Sequence, residues 1–335
     1  ASRCRARRST SCDAARMTDT ADPRYDVSLL PAAGDAPRCA DHALAIAIDP
    51  VGSALHVDEV MMIDVSLPWP KPVWAVDGFT HIPEAVMAAG DAGRRVRALA
   101  AVPIDDGIRR IVAYERVDGL GPMVRHEWHA PEADIPSLAD QLLRGGLGAG
   151  DHARVDAGAG HREVAICAQG SHDVCCGADG ARLVNDLAAT RPGLSIRKVS
   201  HTGGHRFAPT GLTFPDGRMW GFVSAEKMGR IVDRDGSPSD LADHCRGWVG
   251  VEPVGQVAER AVFAAVDDWS VDDVVREVEV RNDADGWVCV VRLGARIFDV
   301  VVVVGRAVPT VACRAEGGLP AKPGREYRVA SVRER

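Results

Sequence analysis

The amino-acid sequence predicts an α/β protein, α+β overall, that is built from two folding units. The chain has 335 residues, which exceeds the usual size of a single domain. Its apolar fraction of 46% is ordinary for a globular protein and is sufficient for two hydrophobic cores. Strand-like and helical segments alternate regularly after residue 162, and a glycine-rich stretch at 145–160 precedes them. We therefore place the boundary between the units in that stretch.

The first unit, residues 35–155, is expected to be an amino-terminal α+β domain. Its predicted strands are 57–65, 95–102 and 111–117, because these runs are apolar and rich in β-branched residues. The segment 136–144 has helical periodicity, and the two glycines that follow it end the predicted helix.

The second unit, residues 156–315, has a more regular pattern. Its predicted elements are the strand 163–166, the helix 178–190, the strand 194–200, the hairpin 211–223 and a helix from 225 to 230 capped by Ser224. This β-α-β-β-α order is that of the thioredoxin-like fold. A helix at 256–266 and a carboxy-terminal β hairpin, 287–293 with 296–304, extend the unit.

Both ends of the chain are expected to lie outside the two units. Residues 1–34 are predicted to be a disordered leader. Their first sixteen residues hold five Arg and one Asp without an apolar segment, unlike a secretory signal. Met17 is the expected translation start, and residues 316–335 are expected to be a tail.

Charge and cysteine content exclude several classes of function. The net charge of −7 argues against nucleic acid or an anionic membrane as a partner. No run approaches the roughly 20 apolar residues of a membrane helix. The nine cysteines are odd in number and scattered, without a secretory signal. Reduced thiols or metal ligands in a cytoplasmic protein are therefore expected in place of a disulfide framework.

Cysteine and histidine residues follow two of the predicted strands. Cys167 follows the first strand of the second unit, and Cys176 lies within the loop that comes next. His201 follows the second strand, and His205 comes four residues later. Since ligands collect outside the carboxyl ends of neighbouring strands in open α/β sheets, both pairs are expected at one sheet edge.

The residue types at this edge fit an iron–sulfur centre and a zinc site equally well. Thiolates hold iron–sulfur clusters, and two imidazoles replace two thiolates in Rieske centres. The same two cysteines and two histidines suit tetrahedral Zn²⁺. A thiol oxidoreductase that uses the adjacent Cys175 and Cys176 is a third interpretation, which the absence of a Cys-x-x-Cys motif disfavours. Gly203 and Gly204 can adopt positive φ and let the backbone approach a bulky cofactor.

The four other cysteines of the two units are isolated in the sequence. They are assigned to packing, as small apolar side chains, and are Cys39, Cys245, Cys289 and Cys313.

Several segments of the chain resemble the sucrase/ferredoxin-like family. They are 173–177 (Asp-Val-Cys-Cys-Gly), 200–208 (Ser-His-Thr-Gly-Gly-His-Arg-Phe-Ala), 38–40 (Arg-Cys-Ala), 67–70 (Leu-Pro-Trp-Pro), and 246–247 (Arg-Gly) followed by 256–259 (Gln-Val-Ala-Glu). The resemblance extends over residues 35–315. Its most specific feature is the combination of Cys-x8-Cys with a following His-x-Gly-Gly-His.

The resemblance implies a thioredoxin-like ferredoxin whose [2Fe–2S] cluster is bound by Cys167, Cys176, His201 and His205. It favours the cluster over zinc. The family often has His two residues after the first Cys, whereas this chain has Gln169, which removes a candidate proton-relay group but no ligand. Electron transfer to or from a redox partner protein is therefore the predicted function.

Six further residues are expected to surround the cluster without binding it. They are Gln169, His172, Cys175, Gly203, Gly204 and Arg206. The sequence has no GxGxxG motif after a strand and no Walker-type loop, so no second cofactor is predicted. The chain is accordingly expected to be an electron carrier, or an accessory to a separate reductase, with no catalytic residues of its own.

Overall fold

The computed structural model describes residues 24–104, 107–155, 161–171 and 174–335. It confirms the α/β class, because helices pack on one large mixed sheet and on one smaller antiparallel sheet. Within these ranges no helix is both long enough and apolar enough to cross a bilayer. Some predictions concern residues outside the described ranges: residues 1–23 of the leader with Met17, the start of the second unit at 156–160, and His172.

The first unit forms one half of the large sheet. Its elements, with the helix that precedes them, are α1 (Cys39–Ala45), β1 (Glu59–Asp64), α2 (Ile82–Asp91), β2 (Val96–Ala101), β3 (Arg109–Glu115), β4 (Val124–Ala130), α3 (Ile135–Gly145) and β5 (Arg154–Val155). Strand β1 pairs with β2 in parallel and with β3 antiparallel, and β4 pairs antiparallel with β3. The three predicted strands and helix α3 are present, whereas α1, α2 and β4 were not predicted.

The second unit forms the other half of the large sheet. Its elements are β6 (Glu163–Cys167), α4 (Ala181–Thr190), β7 (Ser195–Val199), β8 (Gly211–Phe214), β9 (Arg218–Trp220), α5 (Ala225–Asp233), β10 (Cys245–Trp248) and α6 (Pro253–Val266). Helix α5 begins after Ser224, whose hydroxyl accepts a hydrogen bond of 3.2 Å from the backbone N–H of Lys227. This is the cap that the sequence predicts.

The two units have the same strand order and join edge to edge. In each unit the first strand lies parallel to the second and antiparallel to the third, and the fourth strand pairs with the third. Strands β2 and β7 meet antiparallel at Ala101 and Val199. The strand order in the described residues is β10-β9-β8-β6-β7-β2-β1-β3-β4-β5. The order β-α-β-β-β-α therefore occurs twice, and the predicted hairpin supplies the third and fourth strands of the second unit.

The carboxy-terminal part of the chain forms a four-stranded antiparallel sheet. Its strands are β11 (Arg276–Asp283), β12 (Gly286–Leu293), β13 (Arg296–Thr310) and β14 (Lys322–Glu334). The predicted hairpin is the central pair, β12 and β13. The structure corrects the expected tail, because residues 322–334 pair with β13 as the edge strand β14. This segment is rich in charged residues and largely exposed, as an edge strand tolerates, so its sequence is not typical of a buried strand.

A buried network of ion pairs connects the two sheets. Arg218 in β9 donates to Glu259 in α6 at 2.6 and 2.9 Å and to Asp272 at 2.7 Å. Arg276 in β11 donates to the same Asp272 at 2.9 Å. Burial opposes ionisation of Glu259, but the two guanidinium groups outweigh it and hold the pKa of this carboxyl below its usual value. The network therefore locks α6 between the sheets.

We expect Glu259→Gln to lower the free energy of unfolding by about 3–5 kcal/mol, because it removes one of the two carboxylates that the buried guanidinium groups share. Urea unfolding followed by circular dichroism measures this change. Glu277→Gln is the matched control, since Glu277 is exposed and its ion pair with Arg292 is long, at 4.0 Å. Equal unfolding midpoints for the two variants would contradict the role given to the network.

Candidate metal centre

Parallel pairing of β6 and β7 brings the two predicted ligand loops to one edge of the sheet. Cys167 is the last residue of β6 and is in register with Val199, the last residue of β7. His201 follows two residues after Val199, and its backbone N–H donates to the Gln169 side chain at 3.1 Å. Cys167 and His201 therefore leave neighbouring strands side by side.

Cys176 reaches the same edge because the chain after β6 turns back tightly. It begins a π-helical turn, Cys176–Gly180, that leads into α4. A Cβ on Gly180 would meet the carbonyl oxygen of Cys167, and a Cβ on Gly177 would meet the backbone of Gly170. The two glycines thus allow this turn to pack directly on the end of β6.

Three of the four predicted ligands form one group. The ligand atoms of Cys167, Cys176 and His201 all lie within 4.8 Å of one another, and Cys167 Sγ is 4.0 Å from His201 Nδ1. Both cysteines are buried and His201 is half-buried. A hydrogen bond from the Cys176 thiol lowers the pKa of Cys167 well below its usual value, although burial opposes this. His201 acts in the same direction as Cys176. The group is thus suited to bind a metal through thiolate and imidazole.

His205 lies beside this group and faces a different cysteine. Its ring centroid is 5.9 Å from that of His201, and its Nδ1 is 3.1 Å from Cys39 Sγ. Gly203 and Gly204 precede it with φ of +86° and +69°, the left-handed conformation that the sequence suggested for this loop. A Cβ on Gly204 would also collide with the Arg246 guanidinium.

A second group of thiols adjoins the first. The sulfurs of Cys39, Cys175 and Cys313 lie within 4.8 Å of one another, with 3.7 Å between Cys39 and Cys175 and 3.6 Å between Cys175 and Cys313. Cys39 and Cys313, which the sequence assigns to packing, do lie in an apolar cluster, and the fold brings them next to Cys175 from distant parts of the chain. Cys245 and Cys289 do lie in the apolar core, as expected.

Four arginine side chains enclose both groups. Arg97 donates to the His201 carbonyl, and Arg246 donates to the Gly203 carbonyl at 3.1 Å. Arg38 pairs with Asp179 and also contacts Cys175, and Arg206 donates to the Thr310 hydroxyl and stacks on the Phe207 ring. Burial lowers the pKa of Arg246 to about 10, while the thiolates of Cys167 and Cys176 act in the opposite direction. These cations favour negative charge in the pocket.

Cys175 has an acidic thiol. The hydrogen bond from Cys39 is the largest influence, and it lowers the pKa of Cys175 to about 6 in spite of burial. Hydrogen bonds from the Ala40 backbone, Cys313 and Arg38 act in the same direction. The side chain is fully buried, and its thiol belongs to the second group.

Gln169 positions the histidine loop against the first unit. The side chain is 3% exposed and accepts the hydrogen bond from the His201 N–H. Its amide nitrogen donates to the Pro70 carbonyl at 2.9 Å and to Ser171 Oγ at 3.2 Å. The residue thus connects His201 to the segment 67–70. Two of the segments that carry the family resemblance, 200–208 and 67–70, are therefore linked through one side chain.

A family model described as sucrase/ferredoxin-like matches residues 55–247, more than half of the chain. The matched range includes the four ligands predicted from the two loops, whereas Cys39 and Cys313 lie outside it. Comparison with curated proteins gave no match, and comparison with solved structures gave none.

We expect Gln169→Leu to lower the free energy of unfolding by about 1–3 kcal/mol, because it leaves the His201 N–H and the Pro70 carbonyl without this partner. Thermal or urea unfolding measures the change. Ser171→Ala is the matched control, since it removes only the contact with the amide nitrogen of Gln169 and a long one with Pro70. An effect of Ser171→Ala as large as that of Gln169→Leu would argue against the positioning role.

Proposed function

Because the chain belongs to the sucrase/ferredoxin-like family, we propose that it transfers electrons through a [2Fe–2S] cluster bound by Cys167, Cys176, His201 and His205. The observation that carries this proposal is the convergence of the first three side chains in one group. Their ligand atoms come from two separate loops and lie within 4.8 Å of one another. His205 completes the set through its position in the His-x-Gly-Gly-His motif.

The chemistry of the donors supports an iron–sulfur centre. Thiolate sulfur is the usual ligand of such clusters, and imidazole replaces it at part of the site in Rieske-type centres. The low pKa of Cys167 favours the thiolate that binding requires. When bound, a [2Fe–2S] cluster supplies a one-electron redox couple.

The charge of the site supports uptake of an electron. Two thiolates balance the charge of an oxidised [2Fe–2S] core and leave a neutral site, whereas four thiolates leave a dianion. Arg97 and Arg246 lie beside the loops that carry the donors. Since both effects favour added negative charge, the reduction potential is expected to exceed that of a site with four thiolates.

The histidine loop is the side of the site that a partner can approach. Both cysteines are buried, whereas His201, Gly203, Gly204 and His205 are half-buried. We therefore propose that a redox partner protein binds at the loop 201–205. The imidazole rings would then lie between the partner and the buried sulfurs.

Spectroscopy of anaerobically purified protein tests the proposal directly. We expect a red-brown protein with iron and labile sulfide, and an EPR signal that appears on reduction. Cys167→Ser and Cys176→Ser should lose the colour and the iron. Cys289→Ala, in the distant antiparallel sheet, should retain both. A colourless wild-type protein with zinc at these residues would instead support the structural zinc site.

Replacing His201 or His205 by Cys should preserve a cluster and lower its reduction potential, because a thiolate adds negative charge. In the wild type, uptake of a proton by an imidazole on reduction should make the potential fall as pH rises, by up to about 59 mV per pH unit for one proton and one electron. Protein-film voltammetry measures both effects.

His81→Cys is the control for this series, since His81 lies at the start of α2 in the first unit and its ring contacts the Pro136 carbonyl. It should leave the potential and its pH dependence unchanged. If the potential were equally unchanged in both His201→Cys and His205→Cys, neither imidazole would touch iron.

A further inference from the structure

We propose that Cys39, Cys175 and Cys313 form a second metal site, which binds one Zn²⁺ ion next to the proposed cluster. The three thiols come from the start of α1, the residue before the π-helical turn, and the segment after β13. Since 136 and 138 positions separate Cys175 from Cys39 and Cys313, only the tertiary fold brings them together. This inference goes beyond the proposed function and uses none of the cluster's cysteines.

The spacing of the sulfurs fits tetrahedral coordination. With Zn–S bonds of about 2.3 Å, two thiolates on one tetrahedral zinc ion are about 3.8 Å apart. The sulfur of Cys175 lies 3.7 Å from that of Cys39 and 3.6 Å from that of Cys313. Little movement is therefore needed to close the three thiolates around one ion.

The setting of the thiols favours a soft cation. Cys39 and Cys175 are buried and Cys313 is half-buried, and they share an apolar cluster with Ala40 and Val311. Thiolate ligands select soft or borderline ions such as Zn²⁺ over Mg²⁺ or Ca²⁺. Three thiolates and a divalent cation leave one negative charge, and the Arg38 guanidinium contacts Cys175 from outside the group.

Solvent would fill the fourth position of this zinc ion, because the proposed function assigns His205 to the cluster. His205 Nδ1 lies 3.1 Å from Cys39 Sγ, so the second group adjoins the histidine loop at this point. Three thiolates and one solvent ligand give the four-coordinate geometry that zinc prefers.

The two groups are linked through one short segment of chain. The consecutive residues Cys175 and Cys176 direct their sulfurs into different groups. An ion in the second group would fasten α1 and the segment after β13 to this segment. It would therefore hold these two segments against the residues that carry Cys176.

Metal analysis of the anaerobically purified protein, grown with zinc, tests the inference. We expect a zinc ion in addition to iron. Cys39→Ser and Cys313→Ser should lose the zinc and retain the iron and the cluster spectrum. Cys167→Ser should lose the iron and retain the zinc, which separates failure of this site from failure of the proposed function. Cys289→Ala is the control and should retain both metals.

X-ray absorption at the zinc edge of the wild-type protein provides a test that does not depend on the folding of variants. We expect three sulfur neighbours at about 2.3 Å and one oxygen neighbour at about 2.0–2.2 Å. Three outcomes would overturn the inference: no zinc in the protein and no binding of added Zn²⁺, zinc retained in both Cys39→Ser and Cys313→Ser, or loss of iron in place of zinc from these two variants.

Discussion

The parallel pairing of β6 with β7 is the constraint on which the rest of the candidate site depends. It fixes Cys167 in register with Val199, so that the loop after each strand begins at the same sheet edge. The return of the chain to this edge then requires close backbone packing, which Gly180 permits against the Cys167 carbonyl. A side chain at Gly180 would separate the two cysteines of the first group. Backbone geometry therefore determines where the candidate ligands lie.

The repeated strand order shows that the site belongs to the loops and not to the fold. The first unit has the same β-α-β-β order, but apolar residues, Val65 and Val102, follow its two parallel strands. This unit instead supports the site from the side: the Pro70 carbonyl accepts from Gln169, and Arg97 in β2 donates to the His201 carbonyl. One copy of the unit thus carries the candidate ligands while the other holds the histidine loop in place.

The sequence predicted those parts of the structure that depend on local pattern. Apolar runs indicated β6 and β7, and the residue at each strand end indicated the edge where Cys167 and His201 meet. Contacts between residues far apart in the chain have no pattern in the local sequence from which they could be predicted. Cys39 and Cys313 are single cysteines in their segments, and 274 positions separate them. The same limit applies to β14, whose charged, alternating residues are explained only by its pairing with β13.

Electrostatics explains why so many thiols and arginines occur together. Five cysteine sulfurs in one apolar cluster could not all ionise without compensation, since buried charge is costly. Part of this compensating positive charge comes from nearby guanidinium groups, those of Arg38, Arg97, Arg206 and Arg246. Bound metal would supply the remainder. Because Cys175 and Cys176 are adjacent, a change of charge in one group acts on the other across a single peptide unit. The two groups therefore form one electrostatic unit, in which a metal ion bound by either would affect the thiolates of both.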